Sequence, residues 1–353
     1  CQGDRNMDSG ISCQHVSYSF TDDSLAMAVV CEAASTPEAS RAAVGAQLLC
    51  NTTVTAVKTF VKQHSHKLFK GTPFTQVAGE ASKDQRISAA EHELRKLTSD
   101  IRHKWTEKTK QHLLQNPLSG EEKRQTATPE SRYESTLTAY VQHKDFWFAL
   151  QTGSGRCMTF HQQDEEDSRI WQMQETEETN DGQPQFHMAF ATDGTLPVAA
   201  FCCSESILKA YKNPYKLANF YVEILKIIHK DGVSTARQQL QDDLPILSRM
   251  GTMDDTAIAV VFNFVNLKPE IPRYILSQID YFNRKAAQQQ ELIHFFVKSS
   301  EVAREELANA TDRLEVLNSK IRFLAKEYRT ATGKMLEEVP DYSQDIELGK
   351  EKI

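Results

Sequence analysis

The chain has 353 residues, of which 40% are apolar and 25% charged, and a net charge of −7. That length gives a substantial core in one large domain or two ordinary ones. The 48 acidic against 41 basic side chains, with no Lys/Arg block, argue against a nucleic-acid binder, and no run approaches the roughly 20 apolar residues that span a bilayer.

In chain order, Val16–Phe20 alternates like a strand, and Leu25–Val30 is a continuous apolar run of strand length. Thr36-Pro37-Glu38 then supplies an N-cap, a proline for the first helical position and an acid for the first turn. The helix it predicts runs to about Val61, with Ala43, Ala46, Val54, Val57 and Val61 near one face. His64-Ser65-His66 follows, read as a solvated helix end although an H-x-H pair can chelate metal. Leu94, Leu97, Ile101 and Trp105 give a second helix over Ile87–Leu114, ended by Asn116–Gly120 and a polar linker, Glu121–Ser131.

From Ser135 the period changes. Leu137–Gln142, Phe146–Gln151, Cys157–His161, Phe186–Thr192 and Ala257–Asn263 read as strands, with a helical, charged stretch at Tyr215–Leu247. Strands and helices in blocks predict an α+β sandwich and not a regular βαβ repeat. Pro269 and Pro272 mark a second change of pattern. Beyond them Phe296, Ala303, Leu307, Ala310, Leu314, Leu317, Ile321, Leu324 and Tyr328 form a heptad seam, predicting a coiled coil or helical hairpin over 266–353. The end, from about Tyr342, is polar and predicted to fray.

Seven cysteines (Cys1, Cys13, Cys31, Cys50, Cys157, Cys202 and Cys203) show no zinc spacing, and no signal-peptide pattern opens the sequence. Reduced thiols in a cytoplasmic protein are the reading, with Cys202-Cys203 as two small strand residues. The sequons at Asn51 and Asn309 fall in predicted helices. Acidic stretches at Asp164–Asp167 and Glu175–Asp181 read as solvated loops. No G-x-S-x-G elbow, Walker loop or H-E-x-x-H occurs.

Four short pieces carry a further signal. They are Cys13-Gln14-His15, Val30-Cys31-Glu32-Ala33-Ala34-Ser35, Gly153-Ser154-Gly155-Arg156, and Thr192-Asp193-Gly194 with Gly251-Thr252-Met253-Asp254-Asp255. In order and spacing they resemble the protein phosphatase 2C family of metal-dependent Ser/Thr phosphatases, in its divergent bacterial branch. Tyr133–Leu137 also resembles that branch, and the likeness covers roughly residues 8–265. It implies an α-β-β-α sandwich over 1–265, a separate C-terminal helical region over 266–353, and carboxylates at strand ends holding two Mg²⁺ or Mn²⁺ ions.

By the same resemblance, Asp193 and Asp254 fall on retained metal ligands. The bridging Asp falls on Cys31 and the Gly after it on Glu32. The opening Asp falls on His15, another acidic position on Ser154, and a His of classical members on Ala33. Cys is a soft ligand, suited to zinc more than magnesium, so a zinc set of His15, Cys31, Asp193 and Asp254 is one alternative. Glu32 is a possible substitute carboxylate, although neighbours on a strand point to opposite faces. Without the resemblance, Asp193-Gly194 reads as a hairpin turn and Asp254-Asp255 as a strand cap.

The function this implies is a degraded phosphatase acting as a binding or regulatory module for a phosphoprotein or another protein, with self-association through the C-terminal helices. The alternatives are an active, divergent Mg/Mn-dependent phosphatase and a coiled-coil assembly protein that uses the sandwich as scaffold.

Overall fold

The computed structural model describes the chain apart from residues 9, 11, 37, 65–67, 70–74, 78–84, 125–127, 129–130, 163–169, 173–186, 192–195, 299–303, 337 and 353. Those residues divide into two compact units, Cys1–Phe264 and Val265–Ile353. Among them no helix is long and apolar enough to cross a membrane.

Alternation along one strand sets the layers of the first unit. After a one-turn helix α1 (Asp4–Asp8), β1 (Val16–Thr21) pairs antiparallel with β2 (Leu25–Ala33), Val16 opposite Cys31. The connection is held by Asp22 Oδ1, which accepts the N–H groups of Ser24 and Leu25 at 2.8 Å each. Along β2, Leu25, Met27, Val29, Cys31 and Ala33 enter one core, while Ala28 and Val30 enter another. That split is the two-residue period of a strand buried on both faces.

The first core lies between β2 and its neighbours and two helices, α2 (Ala42–His64) and α3 (Gln85–Gln115). The sheet is six-stranded. Its order is β1-β2-β4-β5-β8-β3, with β3 (Thr75–Val77), β4 (Ser135–His143), β5 (Trp147–Thr152) and β8 (His187–Ala191). The second core faces a four-stranded sheet, β10-β9-β6-β7, made of β6 (Arg156–Phe160), β7 (Ile170–Gln172), β9 (Ala199–Cys203) and β10 (Ile258–Phe262). It is filled mostly by small side chains, such as Ala28, Ala149, Ala200, Cys202 and Ala259, with Tyr140 and Trp147 supplying the bulk. On the far side of this sheet α4 (Glu205–Tyr211), α5 (Pro214–Asp231) and α6 (Val233–Met250) follow in turn. Tyr221 of α5 stacks on Phe201 at 4.1 Å between ring centroids. Helices, sheet, sheet and helices give the α-β-β-α sandwich implied by the resemblance.

Several expectations are corrected. The first helix starts at Ala42 and not beside Thr36, because the preceding main chain is committed elsewhere: Ala34 N–H donates to Glu134 and Arg41 N–H to Arg132. Pro37 lies outside the described residues. The stretch Tyr215–Leu247 is split at Gly232, whose φ of 87° favours glycine. Strands β3, β7 and β9 were not expected over their full length, since each is short or made of small residues. His66, the second His of the H-x-H pair, and the acidic stretches 164–167 and 175–181 lie outside the described residues.

Gly45, in the first turn of α2, is fixed by close approach: a Cβ there would overlap the carbonyl oxygen of Tyr133 and lie 2.8 Å from Ser135 Oγ. Alanine would raise helix propensity by about 1 kcal/mol, but a backbone carbonyl cannot rotate away. Gly45→Ala is therefore expected to lose about 1–3 kcal/mol net, read as a lowered urea midpoint.

In the second unit, α7 (Phe264–Lys298) runs straight through Pro269 and Pro272. Both prolines lie in its N-terminal turns, where each forgoes one backbone bond and fits helical φ. α8 (Arg304–Thr332) buries Leu307, Ala310, Leu314, Ile321 and Leu324 of the expected seam, together with Asn318. The chain end does not fray. It forms α9 (Ser343–Lys352), started by Asp341, which accepts from Ser343 N–H at 3.1 Å. Asp345 of α9 is bound by His294 at 2.6 Å and Gln290 at 2.9 Å, both of α7, while Lys350 pairs with Glu315 of α8 at 2.8 Å.

Candidate functional site

A cavity of about 190 Å³ opens at the C-terminal end of β2. Glu32 and Ala33 end that strand, and Ala34 and Ser35 form the turn after it. Thr136 comes from the start of β4, Ser154 from the β5–β6 hairpin, and Glu205 and Ser206 from the first turn of α4. Thr252 and Asp254 come from the loop before β10, and His15 from just before β1.

Glu32, not Cys31, faces this cavity. Neighbours on β2 do point to opposite faces, and the face turned to the second sheet belongs to Glu32. Cys31 is fully buried in the helix-side core, where its thiol meets that of Cys50 and burial pushes its pKa well up. It is therefore not brought to His15 and Asp254, so the zinc set does not assemble.

Glu32 is 9% exposed. Its Oε2 accepts the Glu205 N–H at 2.9 Å. Its Oε1 is buried without a hydrogen-bond partner. It lies 2.5 Å from where a Cβ on Gly155 would stand, so only glycine leaves it room. Burial pushes the carboxyl up from 4.5 to about 7, against the opposing effect of the Glu205 N–H. Between those values the folded chain keeps a proton that the unfolded chain has lost. Glu32's contribution to stability is thus greatest below about 4.5 and falls as pH rises to about 7. In Glu32→Gln that slope should vanish. Relative to wild type, the variant should gain on the order of 3 kcal/mol between about pH 4 and pH 8 in urea titrations.

Asp254 is held differently. Its Oδ1 accepts from the Arg5 guanidinium at 2.8 Å, and Arg5 also reaches the Thr252 carbonyl at 3.3 Å. The next residue, Asp255, is buried and accepts the N–H groups of Gly3 at 2.8 Å and Gln14 at 2.5 Å. Arg5 N–H donates to the Met253 carbonyl at 3.1 Å. His15 is depressed from its ordinary pKa, since burial outweighs the nearby Asp255 and Asp254, and its Nδ1 has no partner. Ser206 and Thr252 hydroxyls meet at 2.5 Å. Asp193 lies outside the described residues. Among the described residues no group of three or more His, Cys, Asp or Glu is placed to hold a metal ion.

Sequence reasoning missed what fixes the turn. Arg41 forks onto Glu122, Nε to Oε1 at 2.7 Å and Nη2 to Oε2 at 3.0 Å, and reaches the Tyr133 hydroxyl at 3.3 Å. That hydroxyl lies 2.8 Å from His112 Nδ1 at the end of α3. Such a bidentate pair is directional as well as strong, and it ties the start of α2 to the linker and to the entry of β4. Nothing in the sequence connects positions so far apart.

Residues 2–244 match the family described as Protein phosphatase 2C. The chain belongs to the protein phosphatase 2C family. The match takes in both sheets except β10, and it ends before Asp254. No curated protein sequence matches the chain. Among solved structures, the chain is similar to the Ser/Thr phosphatase PstP/Ppp of Mycobacterium tuberculosis at 12% identity, covering 70% of this chain and 91% of that one with a TM-score of 0.38. It is similar to Stp1 of Staphylococcus aureus at 10% identity, covering 71% and 89% with a TM-score of 0.41. A structure of the PstP catalytic domain in complex with two manganese ions is similar at 14% identity, covering 70% and 90% with a TM-score of 0.36. The family's fold is kept in this chain, and Cys31 and Glu32 lie near the end of β2.

Proposed function

We propose that this phosphatase 2C-family chain is a binding or regulatory module that does not hydrolyse phosphomonoesters through a dinuclear metal centre. The observation that carries this reading is the Arg5–Asp254 ion pair at 2.8 Å, which gives one retained carboxylate a guanidinium as its cation. Glu32, at the end of β2, is buried and already accepts the Glu205 N–H on one carboxyl oxygen. A pair of Mg²⁺ or Mn²⁺ ions needs several free anionic oxygens to share. The described residues offer too few, so they do not fit such a centre.

The second reading, an active divergent phosphatase, is favoured by the position of Glu32 in the cavity. One experiment separates the two. Mn²⁺ is titrated by calorimetry, and hydrolysis of a chromogenic phosphomonoester is followed, in wild type, Asp193→Ala and Asp254→Ala. Silent titrations and no turnover are expected. Mn²⁺-dependent hydrolysis that disappears in the two variants would overturn the proposal.

The partner of the module is a protein, and the helical unit supplies part of the contact. Phe295, Val316 and Phe323 there are 66%, 69% and 53% exposed. Self-association through these helices is expected to show as a molecular mass above that of one chain, reduced in a Phe295→Glu, Phe323→Glu double variant. A single-chain mass at all concentrations would count against it.

A further inference from the structure

We propose that Cys1 and Cys13 are a redox modification site, and that a reversible disulfide between them fastens the segment Cys1–Gln14 to the loop carrying Asp254. The proposal is independent of whether a metal ion binds.

The two cysteines are brought together by one carboxylate. Buried Asp255 accepts the Gly3 N–H on Oδ1 at 2.8 Å and the Gln14 N–H on Oδ2 at 2.5 Å. The two oxygens are fixed relative to each other, so the main chain beside Cys1 and that beside Cys13 lie side by side, although 12 positions separate the cysteines. Gly3 fits because it has no Cβ; one there would overlap the Asp254 carbonyl. Cys1 is pinned to the same loop, with Thr256 N–H donating to its carbonyl at 2.9 Å. The Cys13 thiol points at that same carbonyl oxygen, 3.4 Å away. A sulfur touching the main chain of a second cysteine is within the span of a disulfide, whose Cα atoms stand at most about 7 Å apart. Cys1 Sγ lies 3.3 Å from the Gln2 carbonyl, and its exposure leaves it free to turn about χ1.

Exposure separates this pair from the other thiols. Cys31 meets Cys50, and Cys157 stands opposite Cys202 across β6 and β9, but all four are buried, whereas Cys1 and Cys13 are exposed. A dissolved oxidant therefore reaches Cys1 and Cys13 first. The oxidant is a low-molecular-weight disulfide. One cysteine thiolate attacks it, expelling one small thiol and leaving a mixed disulfide. The second cysteine thiolate then attacks the protein sulfur of that bond and expels the other small thiol. Two protein thiols are oxidised, the reagent disulfide is reduced to two thiols, and the two S–H protons end on those thiols. Desolvation holds the Cys13 thiol above its ordinary pKa, so its sulfur is a poor leaving group and the bond, once formed, is lost slowly. Arg5 lies inside the closed ring, and it binds the receiving loop through Asp254 Oδ1 and the Met253 carbonyl. Closing the ring removes conformations open to a released segment, which keeps Arg5 on Asp254.

The test uses the full folded chain, incubated with glutathione disulfide, quenched with acid, alkylated in denaturant and digested with trypsin. Cleavage after Arg5 separates the two cysteines. The expected product is residues 1–5 linked to residues 6–41 through Cys13, lost on adding a thiol reductant and absent in both Cys1→Ser and Cys13→Ser. Amide hydrogen exchange over residues 252–256 is expected to slow by about threefold in the oxidised chain, and the reagent should leave it unchanged in either variant. Free thiols or glutathione adducts at both cysteines, a link from Cys1 to Cys31 instead, or the same yield of linked peptide from chain unfolded in urea would each overturn the site. A linked peptide with exchange as fast as in the reduced chain would overturn the fastening of the loop.

Discussion

Cys31→Asp is expected to destabilise the first unit by about 3–5 kcal/mol, the cost of an uncompensated buried charge, and to gain no Mn²⁺ binding. The family resemblance would choose this substitution to rebuild the bridging ligand. The structure puts position 31 in the helix-side core, fully buried, between Met27, Val29 and Ala33 on its own strand and Cys50 on α2. An aspartate there finds a thiol and aliphatic carbons, and either stays charged without a partner or takes up a proton at a cost. A urea titration beside wild type reads the loss. Cys31→Ser, of similar size and uncharged, is expected to cost about 1–3 kcal/mol, so the difference between the two variants isolates the charge. A Cys31→Asp protein as stable as wild type and binding Mn²⁺ would show that β2 is turned the other way.

The second large effect is Phe148→Ala, expected to cost about 3–5 kcal/mol. Phe148, the second residue of β5, is fully buried. Phe69 and Phe146 lie nearly parallel to it at 6.2 and 6.3 Å, and Phe60 of α2 meets it edge-on at 5.7 Å. Three neighbouring rings rest on one another as well, so they cannot all collapse into the space left. The cost should therefore fall toward the upper end of the range, where cavities persist. Phe148→Leu keeps most of the volume and is expected to lose less than half as much. Equal losses would mean that shape, and not volume, governs this core.

Much of the sandwich was legible because its elements are periodic in themselves. Leu25–Val30 and Phe146–Gln151 read as buried strands, and Leu94, Leu97, Ile101 and Trp105 gave α3, since each pattern needs only its own residues. Parity was not legible in the same way. Whether position 31 or 32 of β2 faces the second sheet depends on which sheet lies on which side, and that is decided by Ala28, Val30, Tyr140 and Trp147 packing together. The likeness of motifs put the bridging-ligand position at residue 31, while the pleat turns residue 32 to the cavity. Pro269 and Pro272, which mark the change of pattern, are the sixth and ninth residues of α7, and each gives up one backbone hydrogen bond there. The last helix was hidden because its ten residues are polar, and what holds it is tertiary: Asp345 on His294 and Gln290, and Gly349 against Thr311.

The stitching of Cys1–His15 onto the loop before β10 bears on how this unit is made. Arg5 and Asp254 are 249 positions apart, Gly3 and Asp255 252 apart, and Thr256 N–H also donates to the Cys1 carbonyl at 2.9 Å. Joining such distant segments adds little entropic cost beyond that of a loop half as long, but it imposes an order in time. During synthesis these first residues must wait for the loop that receives them, long after β1, β2 and α2 have formed their own contacts. Completion of the unit is then a late ring closure, slow compared with its helices, and until it occurs β10 lacks part of its lead-in and the cavity lacks Asp254.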